Sequence, residues 1–174
     1  MNIEFSPLYI ILFIILLCIY FYNRLISSKQ NVHEAWSGID VQLKRRHDLI
    51  PNLIAIVKGY SKHESKIFTQ IAEERTQAIT NQDKDVGTIG TIETKIQGAL
   101  KSLFAVAENY PDLKANQNYL QLQTEVRETE DQIASARRIY NSNVADYNTL
   151  IRSFPANIIA GVGNFKHASF FQQT

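Results

Sequence analysis

The sequence predicts an all-α protein, an N-terminal transmembrane helix followed by an antiparallel up-and-down four-helix bundle. Three observations carry this. Residues 8–22, LYIILFIILLCIYFY, form an uncharged apolar run. The only prolines stand at positions 7, 51, 111 and 155. Beyond residue 26 the apolar residues recur three and four apart.

The apolar run is short on its own. Fifteen helical residues rise about 22 Å, against a hydrocarbon core of about 30 Å. Extending the helix from Phe5 to Ile26 gives about 33 Å and places Tyr9 near one interface and Tyr20 and Tyr22 near the other, where amphipathic rings sit favourably. Arg24 can snorkel outward from that second end. Eleven Leu, Ile and Phe residues in the run favour insertion by about 3 to 7 kcal/mol. A core helix of this composition would need apolar protein on every side, which the polar remainder does not offer. A cleavable signal would be followed by small residues, whereas Tyr22, Asn23, Arg24 and Leu25 follow, so an uncleaved anchor is expected. Cys18, preceded by Leu17 inside the run, is not placed for lipidation, and as the only cysteine it forms no intramolecular disulfide.

Orientation follows from the basic residues. Glu4 alone carries side-chain charge before the span, whereas Arg24, Lys29, Lys44, Arg45 and Arg46 come after it. The bias places the N-terminus outside and the following domain in the cytoplasm, at the inner cell membrane. The expected organisation is a short extracytoplasmic segment 1–7, a span 8–26, a cytoplasmic bundle 27–154 and an apolar C-terminal tail 155–174.

Four apolar stripes define the bundle. The first uses Val32, Trp36, Ile39 and Leu43; the second Ile50, Leu53, Val57, Tyr60, Ile67 and Ile71, interrupted by Glu64. The third uses Ile92, Ile96, Leu100, Leu103, Val106 and Tyr110. The fourth runs from Tyr119 through Leu122, Val126, Thr129, Ile133, Ala136, Tyr140, Asn143, Tyr147 and Leu150 to Phe154, about five heptads. Each band is too narrow to be buried by its own helix, so the helices must pack together. NQDKDVGT, with Gly87, reads as a loop, and Tyr110, Pro111 and Asp112 end the third helix. Between the first two stripes only Pro51 intervenes, with Asp48 as a candidate N-cap. A reversal around residues 46–50 gives four helices; the alternative is a three-helix bundle whose long first helix is kinked at Pro51. The four-helix form is preferred because proline suits a first turn and costs about 3 kcal/mol in a helix interior. That form returns its last helix to the membrane. The tail, FPANIIAGVGNFKHASFFQQT, then reads as a flap over the bundle end or, through Phe165, Phe170 and Phe171, as an interfacial membrane contact.

Composition narrows function. Lys and Arg number 18 against 17 Asp and Glu, a net charge of +1, too balanced for nucleic acid to be the main partner. The basic group Lys44, Arg45, Arg46 and His47 reads as a solvated helix face, with anionic lipid headgroups as the sharper alternative. Histidines at 33, 47, 63 and 167 lack the spacing of zinc-protease or di-iron helices. No serine elbow or phosphate-cradling glycine loop is present. Glu64, Thr129 and Asn143 fall on apolar faces, where polar groups commonly fix helix register. No cofactor and no metal site is expected.

Three blocks nonetheless carry a specific pattern: AWSGIDVQLKRRHDLIPNLIAIVKGYSKHE from Ala35, NYPDLKANQNYLQLQ from Asn109, and ARRIYNSNVADYNTLIRSFPANIIAG from Ala136. Together they resemble the LemA family of bacterial membrane proteins, over nearly the whole chain from Tyr22 to Phe171, while residues 77–95 carry no signature. The resemblance implies a single-span anchor with a cytoplasmic helical bundle. It implies no enzymatic activity, cofactor or catalytic residue, and it points to cell-envelope and membrane-remodelling settings, including magnetosome formation.

The expected function is a membrane-anchored helical scaffold or protein-interaction module, not an enzyme. Its partners are the lipid bilayer and proteins of unread identity, with a homo-oligomer admitted. Interaction or structural residues are expected at Trp36, Asp40, Arg45, Arg46, His47, Asp48 and Asn52 near the first helix junction. On the last helix they are expected at Arg137, Arg138, Tyr140, Asn141, Tyr147, Asn148 and Arg152. Two alternatives stand beside it: a metal-dependent hydrolase built from His47, Asp48, His63 and Glu64, and curvature sensing through the basic cluster and tail.

Overall fold

The structure is a computed structural model that describes residues 7–61, 64–81 and 84–172. Among them every regular element is helical: α1 (Pro7–Tyr60), α2 (Ser65–Thr80), α3 (Val86–Ala107), α4 (Pro111–Lys114), α5 (Gln117–Arg152) and α6 (Ala156–Val162). The all-α fold and the apolar N-terminal helix agree with the sequence. Segments 1–6 and 173–174, His63 and the Gln82–Asp83 part of the expected loop lie outside the described residues.

The bundle has four long helices, α1, α2, α3 and α5, but the chain divides among them differently from expectation. The reversal anticipated around residues 46–50 does not occur. The apolar span and the first bundle helix are one helix of 54 residues, about 81 Å long at the usual rise. Asp48 is therefore an interior residue and caps nothing. The second stripe is instead cut at Ser61 and Glu64, leaving Ile50, Leu53 and Val57 on α1 and moving Ile67 and Ile71 to α2.

A helix crosses Pro51 because the damage is repaired from outside. Proline at 51 has no N–H, so the carbonyl of His47, four residues earlier, loses its helical donor. Arg75 of α2 supplies one: its Nε donates to the His47 carbonyl at 2.7 Å. A charged donor on such a group contributes about 1.5 to 3 kcal/mol, comparable to the cost of the proline. The Pro51 ring itself points to solvent, while Ile50 and Leu53 beside it are fully buried.

α1 and α5 form the spine. From Leu25, the first buried residue of α1, to Tyr60 is as long as the 36-residue α5. α1 buries Leu25, Val32, Ile39, Leu43, Ile50, Leu53 and Val57, and α5 answers with Tyr119, Val126, Thr129, Ile133, Tyr140, Val144, Tyr147 and Ile151. The far end is pinned by Asn116, whose Oδ1 caps α5 by accepting from the Tyr119 N–H at 3.1 Å while its Nδ2 donates to the Tyr60 hydroxyl at 2.9 Å. Asp85 caps α3 by accepting from the Thr88 N–H and hydroxyl.

The shorter α2 and α3 lie mainly over the distal half, where they build a core with Ile50, Leu53, Val57, Tyr119 and Val126, while Val86 and Ile89 at the start of α3 reach the core of the other half. The membrane-proximal half holds a second core around Leu25, Val32, Ile39, Tyr140, Tyr147 and Phe171. There the missing layer is supplied by α6 and the tail. Of the tail phenylalanines, Phe171 is buried and Phe165 half-buried against the Tyr22 ring, whereas Phe170 is exposed. The flap reading therefore describes residues 165–172. α5 returns to the span as an up-and-down bundle requires: Thr149, Leu150 and Phe154 share a groove with Tyr20, Phe21 and Arg24.

α1 is the one described helix long and apolar enough to cross a membrane, and only 6% of its most apolar stretch is buried. Arg75→Met is expected to lower stability by about 1 to 3 kcal/mol in urea unfolding of the solubilised full-length chain. In a Pro51→Ala background the same substitution is expected to cost far less, because alanine at that position restores the N–H that the His47 carbonyl needs. Equal losses in both backgrounds would contradict the repair.

Candidate functional site

Two polar constructions stand out, one between the two cores and one along α5. The first joins Arg46 and His47 of α1 to Glu93 of α3. All three side chains are buried, at 1%, 3% and 1% exposure. The Arg46 guanidinium pairs with one Glu93 oxygen, and His47 Nε2 lies 2.9 Å from the other. An ionised carboxylate only accepts, so Nε2 carries a proton and donates it.

Helical spacing explains the arrangement. Residues 39, 43, 46, 50 and 53 share one face of α1, and residues 89, 93, 96, 100 and 103 share one face of α3. Each stripe thus contains one charged member, and the two meet where the distal core ends and the proximal core begins. Burial pushes the Glu93 carboxyl up, but the His47 hydrogen bond and the charges of Arg46 and His47 outweigh it, leaving the group below its ordinary value of 4.5. A site of this kind fixes helix register, since sliding α3 by one turn would strand buried charges.

The second construction holds the tail. Asn141 Nδ2 donates to the Phe171 carbonyl at 3.1 Å, and its Oδ1 accepts from the Phe171 N–H at 2.9 Å. Asn148 repeats the pattern on Ala168, both bonds at 2.9 Å. The spacings match: seven helical residues rise about 10.5 Å and three extended residues about 10 Å. Between the two amides the Tyr140 hydroxyl donates to the Ser169 carbonyl at 2.8 Å. Burial raises the Tyr140 hydroxyl above its ordinary 10.0, so it remains a donor at neutral pH. Trp36 completes the groove, its ring centroid 5.5 Å from Tyr140 and 5.9 Å from Phe171. At the tail's end Gly90 of α3 is required: a Cβ there would lie 2.4 Å from the Gln172 carbonyl oxygen.

The residues singled out from sequence therefore divide. Trp36, Tyr140, Asn141 and Asn148 are brought together, with buried Tyr147 beside them. Arg46 and His47 turn inward, so the basic group is no continuous solvated face; only Lys44 and Arg45 of it are exposed. Asp40, Asp48, Asn52, Arg138 and Arg152 are exposed, and Arg137 is half-buried. Asn143 donates to the Asn31 carbonyl at 3.2 Å, and Thr129 to the Glu125 carbonyl at 2.7 Å.

Of the hydrolase alternative's residues His63 lies outside the described residues, and the other three do not converge. His47 is bound into the buried pair while adjacent Asp48 faces solvent. Glu64 lies beyond Tyr60, the end of α1, which is itself about 18 Å further along the axis than Asp48. Among the described residues no group of three or more His, Cys, Asp or Glu could hold a metal ion. Glu93 and Arg75 were not anticipated. A carboxylate in register with Ile89, Ile96, Leu100 and Leu103 was a visible signal for the first; Arg75, from another helix, left none.

Glu93→Ala is expected to cost about 3 to 5 kcal/mol by leaving Arg46 buried and unpaired, measured by urea unfolding. Because folding depresses the Glu93 pKa, its contribution is complete above about pH 4.5 and is lost as pH falls through the folded-state value. The wild-type chain should therefore lose stability in that acid window, and Glu93→Gln should flatten that part of the profile.

Comparison with known proteins gives a family and individual relatives. The LemA family profile matches residues 35–174. Magnetosome protein MamQ 2 of Paramagnetospirillum magneticum is 28% identical, over 87% of this chain and 65% of its own length. Protein LemA of Metamycoplasma hominis is 28% identical over 94% of this chain and 77% of its own. Magnetosome protein MamQ of Magnetospirillum gryphiswaldense is 24% identical over the same shares as the first. The chain thus spans just under two thirds of the magnetosome relatives. With an apolar helix exposed over most of its first third and a family match from residue 35 to 174, this membrane-associated helical protein belongs to the LemA family.

Proposed function

We propose that the chain is a membrane-anchored helical scaffold that presents a rigid protein-binding surface at the inner face of the cell membrane, with its N-terminus outside and its bundle in the cytoplasm. The observation that carries this reading is the continuity of α1, which joins span to bundle with no flexible link. A catalytic domain tolerates a loose tether, whereas a scaffold gains from a fixed height and bearing. The buried ionisable groups support the same reading, because Arg46, His47 and Glu93 are engaged with one another. So does the run of basic residues beyond the span, Arg24, Lys29, Lys44 and Arg45. Two of the relatives are named as magnetosome proteins, which fits a role at a membrane.

The surface favoured for partner binding is the exposed side of α1 formed by Asp40, Val41, Arg45, Asp48 and Asn52. Val41 is 62% exposed there among charged and amide groups. In-cell cross-linking of the full-length chain followed by affinity purification tests the reading. A protein recovered reproducibly with the wild type is expected to fall at least tenfold with the combined Asp40→Ala, Val41→Ser, Arg45→Ala and Asp48→Ala variant. Recovery of nothing beyond what the span alone captures would contradict the scaffold assignment.

A further inference from the structure

The tail leaves the bundle before it returns to it. After Arg152 the chain turns through Ser153 and Pro155 into α6, which packs beside the apolar part of α1. Ile158, Ile159 and Val162 share an apolar cleft with Cys18, Ile19 and Tyr22. Only afterwards does it climb, past the Tyr22–Phe165 ring contact, to the Asn148 and Asn141 clamps. This excursion runs alongside the span, at a level where α1 is exposed and uncharged.

The two faces of α6 differ. Ala156 and Ala160, four apart, are buried and small enough to let α6 lie close against α1 and α5. On the other side Ile158 and Val162, also four apart, are 59% and 89% exposed, and Phe154, in the turn before α6, is 80% exposed. A water-facing surface would not concentrate its large apolar groups on one short stretch of chain. The neighbouring surface of α1 is just as apolar, with Ile19 and Tyr20 more than half exposed. The two form one continuous greasy belt.

We propose that Phe154 and α6 form a second membrane contact, an interfacial helix whose Ile158–Val162 face, with Phe154 in the turn before it, sits in the acyl boundary of the leaflet next to the bundle. This rests on the reading of α1 as a membrane span and adds a distinct contact to it. The depth is consistent: α6 reaches from Tyr22 to Cys18, about 6 Å along α1, within the 5 to 10 Å at which interfacial helices bury their apolar faces. Charge is consistent too, because Arg24, Arg152 and Lys166 are exposed around the belt, where they meet headgroups. Seven residues bind a bilayer weakly alone. Here α6 is already folded and held against the span, so its insertion is an intramolecular step with little ordering cost. A single span leaves the molecule as a whole free to tilt in any direction; the second contact fixes which side of the bundle leans to the membrane and adds apolar volume to one leaflet only.

The test uses the full-length chain in phosphatidylcholine vesicles, in a Cys18→Ser background, with single bimane labels introduced by Val162→Cys, Ile158→Cys, Phe13→Cys and Asp40→Cys. Dibrominated lipid is expected to quench the labels at 158, 162 and 13 at least twofold and to leave the label at 40 unchanged. Quenching at 13 without quenching at 158 and 162 would overturn the α6 contact while leaving the anchor intact. Absence of quenching at all three would overturn the anchor itself. Efficient disulfide formation between Val162→Cys copies, with no lipid quenching, would assign the face to a second copy of the chain and equally overturn the proposal.

Discussion

One uninterrupted helix couples the apolar N-terminal stretch to the bundle, and it survives its interior proline because Arg75 occupies the carbonyl that Pro51 leaves without a donor. Every other element is arranged around that helix. α5 matches its soluble length and buries its stripe, the α2–α3 pair covers its distal half, and α6 with the tail covers the half nearest the membrane. A break at Pro51 would leave α5 as the one helix of the spine running through both cores.

The two cores meet at a buried polar set. Burying Arg46, His47 and Glu93 contributes little net stability compared with apolar residues of similar size, but it makes wrong alignments expensive. Such a device is useful where long helices present repetitive stripes that could otherwise pack a turn out of register. The tail has its own device. Asn141 and Asn148 read the main chain of residues 171 and 168 as a neighbouring strand would, so position along α5 is set by backbone geometry, while Phe171 beside Trp36 and Tyr140 supplies the apolar contact.

Much of this was legible in the sequence. The uncharged run from Leu8 to Tyr22 predicted the exposed apolar helix, and Val32, Ile39, Leu43, Ile96, Leu100, Val126, Ile133 and Tyr140 all lie in the core that their spacing predicted. The helix break was misplaced because a local penalty, proline in an interior, was weighed without the distant side chain that offsets it. The real break near Gly59 and Ser61 carries weaker local signals, and the stripe continuing through Ile67 and Ile71 masked it. The dense polar residues of the last helix were recognisable as special. That Asn141 and Asn148 clasp the chain's own tail depends on a return path no local pattern records. Arg46 and His47 looked like part of an exposed basic group because charge was read ahead of register; Glu93 in the α3 stripe was the clue to their partner.

The continuity of α1 is tested most directly by a distance. Spin labels introduced by Asn23→Cys and Ala55→Cys in a Cys18→Ser background, on the full-length chain in nanodiscs, are expected to give one narrow distribution centred at about 48 Å, the rise of an unbroken helix over that interval. A dominant population below about 30 Å, the separation left if the chain doubled back before Pro51, would contradict the account.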